Sequence, residues 1–149
     1  MQAGLPHKQK GAAAIEFALV FIIFFAVFYG VVAYSLPLLM VQSFNEASAE
    51  GVRQAVAVDP TTSGTGYTAL VKSTAIGAAS KALAWLPTSL NFSSAYITAD
   101  YLGAGKQLTV TITYPTSNIN NVLPFLVLPG VGQVPNLPAN LTVSSSLLL

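Results

Sequence analysis

The chain has 149 residues, enough for one compact domain plus an appendage. Only 7% of them are charged and 53% are hydrophobic, against about 25% charged in an ordinary soluble domain, which excludes a typical cytosolic surface. The net charge of +1 comes with no basic run, which argues against nucleic acid, and the absence of cysteine removes disulfide frameworks and thiolate metal sites.

The N-terminal tail carries His7, Lys8 and Lys10, and a small residue, Gly11, follows. Gly11 reads as a flexible joint between tail and helix, where a protease could grip an extended backbone. From Phe17 to Val41 about 25 residues pass without one charge. Roughly 20 suffice to cross a hydrocarbon core of about 30 Å at about 1.5 Å per residue. Pro37 removes a backbone donor and predicts a kink, so the spanning part is expected to end near Leu36. The run exceeds the h-region of a cleaved signal peptide, about 7–15 residues. Cations precede it, whereas Glu46 and Glu50 are the first charges after it. The positive-inside tendency therefore places the N-terminus in the cytoplasm and translocates residues beyond about 42. Glu16 stands at the mouth of this helix, an acid that calls for a partner or a reason.

Beyond Pro37 the helical pattern resumes. Phe44, Ala47, Gly51, Ala55 and Val58 share one face, and Glu46, Glu50, Arg53 and Gln54 share the other. The stretch Asp59–Gly66 is turn-rich. A second helix is expected from about Tyr67 to Leu86, with Thr65 as its cap and Pro87 as its stop. Tyr67, Leu70, Val71, Thr74, Ala78, Ala82 and Trp85 would form its inward side, with Trp85 in the core.

Strands then take over. Ala95, Ile97, Ala99 and Tyr101 alternate with polar positions, and Leu108–Tyr114 has the cleanest period of two in the chain. The glycines of 102–107 join them as a hairpin, and Leu141–Leu147 reads as a last strand. Leu108, Val110, Ile112 and Tyr114 should face a helix, leaving the threonines to water. Between these strands Pro115–Ala139 is apolar but rich in proline, which rules out a central strand. It reads either as a loop folded over the core or as an exposed patch, with Phe125, Leu126 and Leu128 as the interaction candidates.

Chemistry-bearing constellations are missing from the pattern. The single histidine is His7, and the acids Glu16, Glu46, Glu50, Asp59 and Asp100 lack metal-ligand spacing. No nucleophile elbow, phosphate loop or dinucleotide fingerprint occurs. Neither a metal, a cofactor nor an enzymatic activity is expected.

The junction Gly11-Ala12-Ala13-Ala14-Ile15-Glu16-Phe17 matches Gly, four residues, Glu, then an aromatic, followed at once by the long apolar run. It resembles the class III signal of prepilin-type proteins, and residues 8–56 look like the TadE-like pseudopilins of tight-adherence (Flp, type IVc) pilus systems. The resemblance implies an α+β, pilin-like fold: a long N-terminal helix running into a small domain with a second helix on an antiparallel sheet. It implies a leader, 1–11, cut after Gly11 by a prepilin peptidase to expose Ala12, a transmembrane helix, 12–41, and a periplasmic domain, 42–149. It implies a minor pilin-like assembly subunit in the bacterial inner membrane, with other pilin or pseudopilin subunits, the inner-membrane assembly platform and the lipid bilayer as partners. Glu16 and Phe17 would serve subunit pairing, Glu16 answering the new α-amino group of a neighbour. The alternative reading is an unprocessed, membrane-anchored interaction module that recruits a partner through the proline-rich loop.

Overall fold

The structure, a computed structural model, describes residues 9–61, 66–103, 106–128 and 130–149. Most of the basic tail, the Thr65 cap and the centre of the 102–107 turn lie outside the described residues. One helix dominates. Helix α1 runs without interruption over Gln9–Ala55, 47 residues with Pro37 inside. It starts ahead of Gly11 rather than after it, because Ala12, Ala13 and Ala14 are the strongest helix formers and pull the first turns into register. The helical hydrogen-bonding pattern also passes through Pro37, although proline cannot donate to the carbonyl of Ala33. Ala33 and Pro37 are both buried where the C-terminal domain packs against them, so tertiary contacts hold the turn that proline weakens.

Helix α2, Tyr67–Ala82, packs on the C-terminal part of α1. It ends one turn earlier than its apolar spacing suggests. The Leu83 amide is shared between the carbonyls of Ala79 and Ser80, and turns carry the chain on to Leu86. The residue before Pro87 is biased away from helix, which favours this early exit. The inward face also differs. Val71, Ala75, Ala78 and Ala79 are buried, while Leu70 is exposed. Small residues win because the helices approach closely: a Cβ on Gly51 would lie 2.8 Å from the Ala75 carbonyl oxygen and 3.3 Å from the Ala79 Cβ. Trp85, expected in the core, is 61% exposed; it falls beyond the end of α2, where helical periodicity no longer places side chains.

Strands β1 (Ile97–Leu102), β2 (Gln107–Pro115) and β5 (Asn140–Leu148) form an antiparallel sheet with β2 in the middle. Register pairs Ile97 with Ile112 and Ala99 with Val110 on one side, and Val143 with Ile112 and Leu141 with Tyr114 on the other. Both helices cover one face of this sheet, α1 over β5 and β2, α2 over β1. Leu108, Val110, Ile112 and Tyr114 all point inward and are fully buried, as their alternation predicts. Ala95 stands instead in a 3-10 turn, Ser94–Tyr96, just before β1. The core centres on Phe44 of α1, whose ring lies 5.6 Å from Tyr114 and 5.8 Å from Phe92. Tyr114 donates a hydrogen bond to the Leu90 carbonyl at 2.6 Å. Ser48, buried on α1, lies 3.0 Å from the Asn45 carbonyl and meets the Ser145 hydroxyl of β5 at 2.8 Å, which ties helix to sheet and keeps the buried hydroxyl satisfied.

The proline-rich segment is neither a plain loop nor part of the main sheet. A 3-10 turn over Thr116–Asn121 is followed by a two-stranded ribbon, β3 (Leu126–Leu128) and β4 (Gly132–Val134). Pro124 sits just before β3, so proline costs the short ladder no hydrogen bond there.

Candidate functional site

The junction residues occupy the first two turns of α1. Gly11, Ala12, Glu16 and Phe17 are all exposed, Phe17 to 70%. A side chain on Gly11 would meet nothing within 4 Å, so the fold itself places no demand on glycine there. Ala12 and Glu16 are four apart, hence on one face and about 6 Å apart along the axis. Among the described residues the ion pairs are Glu50 with Arg53 and Lys72 with Asp100. Glu16 belongs to neither. It is the one acid on a stretch of helix that is otherwise uncharged as far as Val41.

Phe17 opens a ladder of rings along the helix. Phe17, Phe21, Phe25 and Tyr29 stack at i,i+4 with centroids 6.1, 6.2 and 6.1 Å apart, and Phe24 stacks on Phe28 beside them. The ladder ends at Tyr29, which together with Tyr34 holds the proline-rich segment. The Tyr29 hydroxyl donates to the Pro124 carbonyl, and the Asn136 amide donates to the Tyr34 hydroxyl at 2.9 Å. Between helix and ribbon lies a groove of about 620 Å³, lined on one side by Ala26, Val27 and Gly30 and on the other by Leu128 and Val131. The three loop candidates are half-buried. Phe125 packs against the core with its amide bonded to Asn120, while Leu126 and Leu128 lie in β3. The side chains that face outward are Val127, 77% exposed, and Val131, 68% exposed. The tyrosine links were legible in principle: a phenolic hydroxyl in an apolar run needs a partner. Nothing in the sequence says which backbone supplies it, because the pairs span 95 and 102 residues.

A second groove, about 580 Å³, runs between the far end of α1 and β5 past Ala49, Val52, Val56 and Leu147. Arg53 is its one titratable lining residue. Glu50 receives the Arg53 guanidinium at 2.7 and 2.6 Å and the Gln54 amide at 2.6 Å. The hydrogen bond from Arg53, aided by Gln54, lowers its carboxyl to about 2. Burial pushes the Tyr114 phenol up to about 12. Among the described residues no cluster of His, Asp or Glu has the makings of a metal site.

One helix, among the described residues, is long and apolar enough to cross a membrane, and it begins with this junction. Residues 11–53 match the family model for TadE-like protein. The TadE-like match thus starts at Gly11 and covers Glu16, the aromatic ladder and the buried stripe of α1 as far as the Glu50–Arg53 pair. It stops short of α2 and the sheet. TadE-like proteins are components of Tad pilus systems, and the chain is similar to them over residues 11–53. No curated protein and no solved structure matches the chain.

Proposed function

We propose that the protein is a minor pilin-like assembly subunit of a tight-adherence (Flp, type IVc) pilus, inserted in the inner membrane and cut after Gly11 by a prepilin peptidase. The observation that carries this reading is an exposed Glu16 that joins no ion pair among the described residues and is the one charge between Gly11 and Val41, inside the TadE-like segment. Cutting before Ala12 creates an α-amino group with a pKa of about 7.7–8.0, largely cationic at neutral pH. A bare carboxylate in lipid is expensive, and a bare ammonium equally so. Ala12 and Glu16 share one face about 6 Å apart. Two parallel helices offset by that distance bring the amine of one beside the carboxylate of the other. The pair then selects one axial register for neighbouring subunits, and the chain acts as the peptidase's substrate rather than as a catalyst.

Mass spectrometry of the mature N-terminus, from cells with and without the peptidase, tests this directly. A start at Ala12 that depends on the peptidase is expected, and an intact Met1 start in the assembled species would overturn it. Glu16→Ala should insert normally and fail to co-purify with its pilin partners. A helical Gly11 gives the alternative reading its support, since a peptidase must first unwind that turn. An unprocessed anchor, with the domain as an interaction module, is what the intact start would mean.

A further inference from the structure

The apolar run from Phe17 to Val41, about 37 Å as a helix, is longer than a hydrocarbon core of about 30 Å, so its position in the membrane is open. The domain narrows the choice. From Gly11 to Phe28 the helix is exposed on every side except at half-buried Ala26, and from Tyr29 onward one side is covered. The β3–β4 ribbon provides that cover, pinned by its flanks to Tyr29 and Tyr34. Were the hydrocarbon to begin just after Glu16, it would reach about Leu36, and the points that pin the ribbon would lie roughly 3–11 Å inside the hydrocarbon boundary. A two-stranded ribbon has unpaired amides and carbonyls on both outer edges, and lipid-exposed edges of that kind are not tolerated in hydrocarbon. Sliding the bilayer toward the N-terminus removes the conflict. The free rod Gly11–Phe28 is about 27 Å long, close to the thickness required. The cost is one carboxylate, Glu16, drawn in from the near boundary, against several backbone groups left unsatisfied.

We propose that the β3–β4 ribbon lies in the headgroup layer on the domain's side of the membrane, with Val127 and Val131 in contact with lipid, and that it sets the depth of α1. This rests on the reading of α1 as a membrane-spanning helix. Three observations converge on lipid as the occupant. The ribbon continues the apolar surface of the spanning helix. The chain from Gln107 to Leu149 contains no charged residue, so nothing near the ribbon on its own segment opposes contact with an apolar phase. Tyr29 and Tyr34 are the side chains that hold the ribbon, and tyrosine is the residue type enriched in membrane proteins at the boundary between hydrocarbon and water.

The absence of native cysteine makes the test direct. Single nitroxide labels at Val127→Cys, Val131→Cys, Val20→Cys and Trp85→Cys are placed in the full chain, reconstituted into phosphatidylethanolamine–phosphatidylglycerol vesicles. Collision with oxygen, which partitions into lipid, is compared with collision with a water-soluble nickel chelate. The labels at 127 and 131 are expected to favour oxygen as the label at 20 does, and the label at 85 to favour the chelate. If 20 reads lipid while 127 and 131 read water, the ribbon proposal is overturned and the spanning helix stands. If 20 also reads water, the membrane reading itself fails. Labels at 127 and 131 shielded from both reagents, or broadened by a second spin nearby, place another protein copy on the ribbon and overturn the proposal equally.

Discussion

The two halves of α1 are built from the same apolar residue types and meet opposite fates. Between Phe17 and Phe28 the large side chains stand clear of the rest of the chain, whereas beyond Ala33 a stripe through Pro37, Met40, Phe44, Ala47, Ser48, Gly51, Val52 and Ala55 is buried. The difference lies in arrangement rather than hydrophobicity. The first half is apolar all round, which suits a solvent of lipid. The second half is apolar on one face and charged on the other, which suits a protein core on one side and water on the other. A helix can therefore report two solvents along its own length. The crossover falls where the ribbon first touches it, within the apolar run and ahead of the charge boundary at Glu46.

The sharpest way to break this contrast is to cut the same large side chain from each half. Phe44→Ala should destabilise the domain by about 3–5 kcal/mol, the usual cost of removing a buried phenylalanine. Phe21→Ala, on the exposed rod, should leave domain stability unchanged. Urea unfolding in vesicles, followed by near-ultraviolet circular dichroism of the aromatic cluster, measures both. Equal losses would mean that the rod packs on the domain and that the two-solvent picture is wrong. Gly51→Ala comes next. The added methyl gains up to about 1 kcal/mol in helix propensity, while overpacking costs about 1–3 kcal/mol. The obstacle is the Ala75 backbone carbonyl, which cannot rotate away, so the clash wins and a net loss of about 1–2 kcal/mol is expected in the same assay. Gly30→Ala, with nothing within 4 Å of its added Cβ, should cost nothing.

How far each region could be read from its residues follows the same division. Periodicity carries information when one face is buried and the other wet. That is why β2 was legible down to its inward residues, and why the Phe44–Gly51–Ala55 face of α1 was too. It held only in part for α2, where Val71 and Ala78 are buried as their spacing predicts but size rather than hydropathy decides the rest of the contact. Leu70 is the better hydrophobe, yet Ala75 and Ala79 are buried because Gly51 lets the helices come close. Trp85 shows the same limit, since a pattern extended beyond the last helical turn places nothing. At the junction, the Gly11–Glu16–Phe17 spacing was readable because it is local chemistry. The partners of Tyr29 and Tyr34 were not, because a hydrogen bond to a backbone about a hundred residues away leaves no mark in residue type.

Acid and base probe the domain alone, and they rank the remaining interactions. Tyr114 is the larger effect. Its phenol titrates near 10 when unfolded and near 12 when buried. Between those values the unfolded chain gives up a proton that the native state keeps, so stability falls, by on the order of 2 kcal/mol at pH 12. Tyr114→Phe should lose about 1–2 kcal/mol at neutral pH by leaving the Leu90 carbonyl unpaired, and the alkaline decline should flatten. The Glu50–Arg53 pair is the smallest effect, and its sign is opposite in pH. Glu50 has an ordinary value of 4.5 and a native one of about 2, so its contribution is complete above the first and is lost as pH falls through the second. Comparing wild type with Glu50→Gln between pH 5 and pH 2 isolates it, the wild type declining more steeply. Because both side chains meet solvent, salt should erase most of that gap. A gap that survives high salt would show that this end of α1 is shielded by another subunit, and the apolar groove past Val52, Val56 and Leu147 would be the surface to search for it.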